Sequence, residues 1–180
     1  MTPLTFRFAG AQDAPAIAAL IESAYRGEES KRGWTSEADL IAGNRTSPKE
    51  VAAFIADPYA RFVMAFEVES LVGCALIKND NGTGYFGMFA VTPTGQGAGL
   101  GKIILDHAER KIRELWNCPT VAMTVISIRE DLIAYYERRG YRRTATKPFP
   151  FEKEPGAKRT DFHFVVLTKA WERRHPAGSL

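Results

Sequence analysis

Residues 91–105 read VTPTGQGAGLGKIIL, with four glycines (Gly95, Gly97, Gly99 and Gly101) in seven positions ahead of an apolar run. Backbone with so few side chains lets successive N–H groups converge on one point, and the helix that follows adds the positive end of its dipole. The chemistry this suits is anion binding. A P-loop is excluded, because Gln96 stands where its first glycine belongs and Ile103 replaces the hydroxyl that would bind magnesium. G-x-G-x-x-G spacing does occur at Gly82, Gly84 and Gly87, but it leads into the strand-like YFGMFAV and not into a helix. A dinucleotide fingerprint is therefore excluded too.

What remains is strand, V-x-P, Q-x-x-G-x-G, helix, carried by Val91, Pro93, Gln96, Gly99 and Gly101. This resembles the acyl-CoA pyrophosphate loop of the GNAT superfamily of N-acetyltransferases, whose Q/R-x-x-G-x-G/A follows a strand ending in V-x-P. A nest of main-chain N–H groups suits a diphosphate without metal. A glycine-rich turn that binds nothing is the other reading of the same residues. Residues 129–141, REDLIAYYERRGY, resemble the later motif N-x-x-A-x-x-x-Y-E-x-x-G-F of the same family. Tyr136, Glu137, Gly140 and Tyr141 match it, while Arg129 stands where asparagine is common and Leu132 where alanine is. With the element order, the resemblance covers nearly the whole chain.

The resemblance implies transfer of an acetyl group from acetyl-CoA to an amine, directly in a ternary complex. It implies that the main chain of Phe89, Ala90 and Val91 holds the pantetheine and the thioester oxygen. The segment Gln96, Gly97, Ala98, Gly99, Leu100, Gly101 and Lys102 would take the diphosphate. Arg129 falls at the motif position that meets the pantetheine arm, and Tyr136 at that of the acid that protonates the departing sulfur. A core aromatic is the competing reading for Tyr136, since Tyr135 beside it must also be housed. Many family members place a glutamate early in the preceding strand, near Tyr85 to Gly87. This chain has no Asp or Glu between Asn81 and Leu105, so a base must come from elsewhere or water must carry the proton.

The resemblance also implies that one wall of the acceptor pocket falls in AYRGEESKRGWTSEA, where Tyr25, Trp34 and Glu37 could enclose an amine and Glu37 or Glu22 supply negative charge. A solvated loop with one packed tryptophan is the alternative. Phe149 and Phe151, apolar in the otherwise polar KPFPFEKEPGAKR, make a second candidate wall. Glu28, Glu29 and Glu37 hint at a cationic amine, on a small molecule or a peptide, and Lys31 and Arg32 dilute the hint. Lys102, Lys111 and Arg138 could meet a coenzyme phosphate, though basic residues also decorate solvated helix faces. A different class, an acyl-CoA-binding module without catalysis, is favoured by the missing strand carboxylate and opposed by Tyr136. A nucleotide-binding protein is weaker still, since both phosphate motifs fail.

Positioning these residues requires one domain. At 180 residues, 45% of them hydrophobic, the chain can bury a full core, and residues 1–180 are expected to form a single acyl-CoA N-acyltransferase domain with a short loose C-terminal tail. The net charge of +3 is too slight to argue for nucleic acid. No apolar stretch approaches the ~20 residues of a membrane span, and no signal-peptide pattern follows Met1, so a cytoplasmic location away from membranes is expected. Cys74 and Cys118 lack metal or redox spacing and read as core residues; His107, His163 and His175 are too scattered for a metal motif. Dimerisation, common in the family, is an open expectation.

Alternation predicts a strand at 4–9 and an apolar β-branched run a buried one at 120–126; further strands are expected at 61–68, 71–78, 85–91, 141–146 and 162–169, with Glu69-Ser70 closing a hairpin. Helices are expected from Asp13 (N-cap) to Tyr25, from Thr35 or Ser36 to Ala42, and from a capping box at Ser47 to about Asp57. A further helix from Gly99 should bury Ile104, Ala108, Ile112 and Leu115, with Lys102, Glu109, Arg110 and Arg113 largely elsewhere. The last helix is placed at 130–139. The fold class is α+β: a GNAT-like mixed, mostly antiparallel central sheet of about seven strands flanked by helices.

Overall fold

The computed structural model describes residues 2–33 and 35–171. The strands are β1 (Leu4–Phe8), β2 (Ala60–Glu67), β3 (Ser70–Asp80), β4 (Thr83–Val91), β5 (Thr120–Ile126), β6 (Arg142–Lys147) and β7 (Phe164–Ala170). The helices are α1 (Ala14–Tyr25), α2 (Gly27–Ser30), α3 (Pro48–Ala56), α4 (Leu100–Trp116) and α5 (Glu130–Glu137). The strands form one sheet in the order β1-β2-β3-β4-β5-β7-β6, antiparallel throughout except for β4 and β5. This is the expected α+β architecture, with a core on each face of the sheet. One contains Ile104, Leu105, Ala108 and Ile112 of α4 together with Phe86, Val121 and Ile133. The other contains Ile17, Leu20 and Ile21 of α1 against Phe62, Met64 and Leu76.

Two local turns set the hairpins. Asn81 and Gly82, at φ 51° and 91°, join β3 to β4 in the mirror-image turn that matches strand twist. The suspect glycine pattern thus opens with a hairpin turn. The β2–β3 link is Val68-Glu69 and not Glu69-Ser70, with Glu67 paired to Ser70.

Several expectations need correction. No helix runs from residue 36 to 42: a single turn forms, with the Leu40 and Ile41 amides on the Glu37 carbonyl, and the chain then pairs through Ile41 with Ala157. Thr35 donates to the Ala24 carbonyl at 3.2 Å, and the Ser36 hydroxyl pairs with Ser30 at 2.7 Å and accepts from the Ala38 amide. The one-turn α2 takes its place in the order. Asp13 does not cap α1. Its carboxylate accepts from the Gly10 amide at 2.8 Å and is held bidentately by Arg7, which keeps it below the usual carboxylate range. The Ser47 box is half made: Ser47 Oγ accepts from the Glu50 amide at 3.2 Å, but Glu50 turns its carboxylate to Thr46. On α4, Leu115 is exposed and Glu109 is buried, accepting from the Tyr141 hydroxyl and the Lys169 ammonium, both at 2.8 Å.

The feature that creates the site is a divergence of β4 from β5. Their pairing is confined to Gly84–Val121 and Tyr85–Ala122. Beyond it, β4 bulges: Met88 adopts φ 42°, and the register with β3 slips between Cys74 and Leu76. A bulge bends its strand and sharpens the local twist. The stretch Gly87–Val91 therefore leaves the sheet edge of β5 and opens a wedge.

Candidate active site

Two clefts occupy this wedge and meet in the middle. The first, about 320 Å³, lies between the end of β4, the glycine loop and α5. The second, about 290 Å³, lies on the other side, between β4, β5 and the two long loops. Tyr25, Phe89, Leu132 and Tyr136 line both.

The glycine loop forms one lip of the first cleft. Gly97 and Gly99 take φ of +87° and +83°, conformations that an L side chain enters only with strain, and neither is crowded. Gly99 leads directly into α4, whose Ile103 amide bonds the Gly99 carbonyl at 3.3 Å. The amides of Leu100, Gly101 and Lys102 are thus the unpaired donors of a helix start, next to its positive end. Gln96 locks the loop by donating to the Val91 carbonyl (3.1 Å) and to the Thr35 hydroxyl (3.0 Å). Lys102 lines the cleft while paired with Asp106 at 2.7 Å. Phe89, Val91, Gln96, Gly97, Gly99, Gly101 and Lys102 all face this cleft. Ala90 and Leu100 are buried in the core and Ala98 is exposed, so each offers only main chain.

The opposite lip was only half visible in the sequence. Leu132, Tyr135, Tyr136 and Arg139 share one face of α5 and the turn after it. The Arg139 guanidinium stacks on the Tyr135 ring at 3.4 Å and donates to the Tyr135 carbonyl at 2.8 Å, while its buried Nε has no partner among the described residues. The 3–4 spacing of these residues was the available signal. Lys111 pairs with Glu114 at 2.7 Å, and neither it nor Arg138 lines either cleft.

Tyr136 stands at the junction, 5% exposed. Its ring packs edge-on against Tyr135 and Tyr141, at 5.2 and 5.8 Å between centroids. Burial, reinforced by the neighbouring Tyr25 and Tyr135, holds its phenol well above the usual range against the opposing pull of Arg139 and Arg129. It is therefore a protonated donor at neutral pH. Tyr25, also raised by burial, donates its hydroxyl to the Phe89 carbonyl.

The second cleft gathers residues from distant parts of the chain. Glu37 and Phe149, expected on two separate loops, both line it. The loops come together by pairing: Ile41 bridges Ala157, and the Ala42 amide meets the Gly156 carbonyl at 2.7 Å. Ile41, Ile126, Phe149 and Phe162 form a small core beneath. Glu22 is not in the cleft: its carboxylate accepts from the amides of Arg45 and Thr46. Glu28 and Glu29 also lie away from it. Arg129 lines this cleft and not the first, donating to the carbonyls of Thr35 (3.3 Å) and Ser36 (3.0 Å). Trp34, the proposed tail and His175 lie outside the described residues.

At the strand position where a carboxylate was sought there is Gly87, and a Cβ there would fall 2.4 Å from the Tyr85 hydroxyl. The Tyr85 ring occupies that space. The carboxylates that do line the cleft are Glu37, which faces Arg26 at 3.5 Å, and Glu154, which sequence reasoning missed. Among the described residues Glu154 forms no ion pair and no side-chain hydrogen bond. No group of three or more His, Cys, Asp or Glu side chains among the described residues is placed to hold a metal. No described helix is long and apolar enough to cross a membrane.

With this geometry in hand, the comparisons agree with it. The sequence pattern of the Acetyltransferase (GNAT) family matches residues 20–141. The chain belongs to the GNAT acetyltransferase family. A search of curated proteins finds no match in sequence. Among solved structures, the ribosomal-protein-S18-alanine N-acetyltransferase of Escherichia coli superposes with a TM-score of 0.71 at 14% identity, covering 99% of this chain and 100% of that one. The protein yncA of Salmonella typhimurium, solved with its cofactor acetyl-CoA, gives 0.70 at 17% identity over 99% of both chains. The IAA acetyltransferase of Bacillus cereus gives 0.67 at 15% identity, over 94% of this chain and 100% of that one. At such identities the likeness is one of fold.

Proposed function

We propose that this protein transfers the acetyl group of acetyl-CoA directly to the amine of a small-molecule or peptide acceptor, with both substrates bound together. The observation that carries the reading is the meeting of the two clefts at the buried Tyr136. The first cleft suits the coenzyme: amides at the start of α4 face the diphosphate, and the divergent end of β4 runs beside the pantetheine. Those β4 groups are main chain, so the thioester would be held by the backbone of Phe89, Ala90 and Val91.

The acceptor enters from the second cleft. Its neutral amine attacks the thioester carbonyl, forming the C–N bond. The C–S bond then breaks, and the sulfur takes the Tyr136 hydroxyl proton as it leaves. The amine loses a proton to Glu154, the cleft carboxylate without an ion-pair partner among the described residues, directly or through water. A proton returning from solvent restores Tyr136. Tyr25 keeps the Phe89 carbonyl turned into the junction. Calorimetry with acetyl-CoA, followed by thiol release in the presence of an amine panel, tests the proposal. Coenzyme binding without release over any amine would leave an acyl-CoA-binding module, the reading that Gly87 in place of a carboxylate favours.

A further inference from the structure

The charges around the acceptor cleft do not suit a simple cationic amine. Its walls carry three guanidinium groups, Arg26, Arg45 and Arg129, against two carboxylates, Glu37 and Glu154. Two of the arginines are engaged in holding the walls. Arg26 spans the Ala42 and Gly43 carbonyls (3.5 and 3.2 Å) and Glu37, and Arg129 ties the 35–36 carbonyls and Asp131.

Arg45 is different. It makes no ion pair and no side-chain hydrogen bond among the described residues, and its guanidinium lies over the Tyr25 ring at 6.0 Å. Its position is nonetheless built: the amides of Arg45 and Thr46 both donate to the Glu22 carboxylate, which clamps the chain against α1. Its charge is felt at the phenols of Tyr25 and Tyr85, two rings of the cleft wall. A guanidinium held at the mouth of a cleft, half-buried and without an acid, is matched by a carboxylate brought by the ligand.

Resting on the acetyltransferase reading, we propose that the acceptor is a free amino acid or close analogue, whose carboxylate Arg45 receives while Glu154 faces its amine. The cleft volume of about 290 Å³ fits a molecule of that size and lies just under the ~300–1,000 Å³ usual for ligand sites. A peptide N-terminus would bring no carboxylate next to its amine and would leave Arg45 unmatched. Met123, Ile126 and Phe149 give the cleft an apolar part, so leucine, methionine and phenylalanine are suitable probes.

The test compares each of these with its carboxamide and its decarboxylated amine, by thiol release from acetyl-CoA with the full chain. The free amino acids should be preferred in kcat/KM by about tenfold to a hundredfold, the range spanned by loss of a hydrogen bond to a charged group. Arg45→Met should collapse that preference mainly through KM, and Arg45→Lys should restore part of it, with acetyl-CoA calorimetry verifying that each variant is folded. Amides and plain amines acetylated as well as the amino acids by the unmodified protein would overturn the inference and leave the acetyltransferase reading standing. So would a preference that survives Arg45→Met. Coenzyme binding with no transfer to any member of this panel would overturn the inference, and the acetyltransferase reading falls with it only if the wider amine panel also releases no thiol.

Discussion

Replacing Tyr136 by phenylalanine removes one oxygen atom from the junction of the two clefts and leaves everything that packs there. The ring is 5% exposed and wedged edge-on between Tyr135 and Tyr141, contacts that phenylalanine reproduces. Its hydroxyl bonds no described residue, so no protein partner is orphaned, and the melting temperature should hold within a few degrees. Its effect on rate is bounded by the leaving group. A thiol of pKa near ~8.5 can depart without full protonation, so the gain should sit at the lower end of the ~100- to 10,000-fold typical of placed proton donors. We expect kcat to fall by about tenfold to a few hundredfold, or roughly 1.4 to 3.5 kcal/mol of barrier, with acetyl-CoA affinity nearly intact. The raised phenol pKa adds a second expectation. Raising it favours the protonated acid, so loss of activity through Tyr136 ionisation should begin above pH 10, where an ordinary tyrosine would already be half ionised. The assay is single-turnover acetylation at saturating acetyl-CoA, because slow product release would conceal the loss. If Tyr136→Phe matches the unmodified protein under those conditions, Tyr136 is a packing residue and another donor serves the sulfur.

Gly99→Val should weaken acetyl-CoA binding by about 2 kcal/mol or more by calorimetry, since a β-branched residue at φ +83° distorts the amides at the start of α4; unchanged affinity, with and without EDTA, would remove the loop from the site. Glu154→Gln should lower kcat by about a hundredfold at pH 7 and recover partly at higher pH, where hydroxide can take the proton that the attacking amine releases; a flat response would assign the proton to water. Glu109→Ala should cost about 2 kcal/mol in urea unfolding, because it strands the Tyr141 hydroxyl and the partly shielded Lys169, while coenzyme binding is unaffected.

The strands and the larger helices were legible because their causes are local. The alternation of Leu4, Thr5, Phe6 and Arg7 in β1, the apolar run of β2, the 3–4 spacing of Ile104, Ala108 and Ile112, and the Ser47-Pro48 start each act within a few positions. The glycine loop was legible for the same reason: positive φ at 97 and 99 is a demand that only the backbone at those residues can meet. The short helix expected at 36–42 stops after one turn because Ile41 and Ala42 pair with Ala157 and Gly156, far along the chain, which no local pattern reveals.

By itself, then, the sequence determined the order of elements, the glycine turn at the start of α4 and the tyrosine pair on α5. Only the tertiary structure decided the wedge, since the divergence of β4 from β5 arises where a bulge meets a pairing of two residues, 37 positions apart in the chain at Gly84 and Val121. Only it decided which charges line the second cleft. Glu28 and Glu29 turn away, while Arg45 and Glu154 arrive from loops joined through Ile41 and Ala157. The physical reason is that side-chain charge acts through space, over distances set by which loops pair, and loop pairing leaves no periodic trace in the sequence.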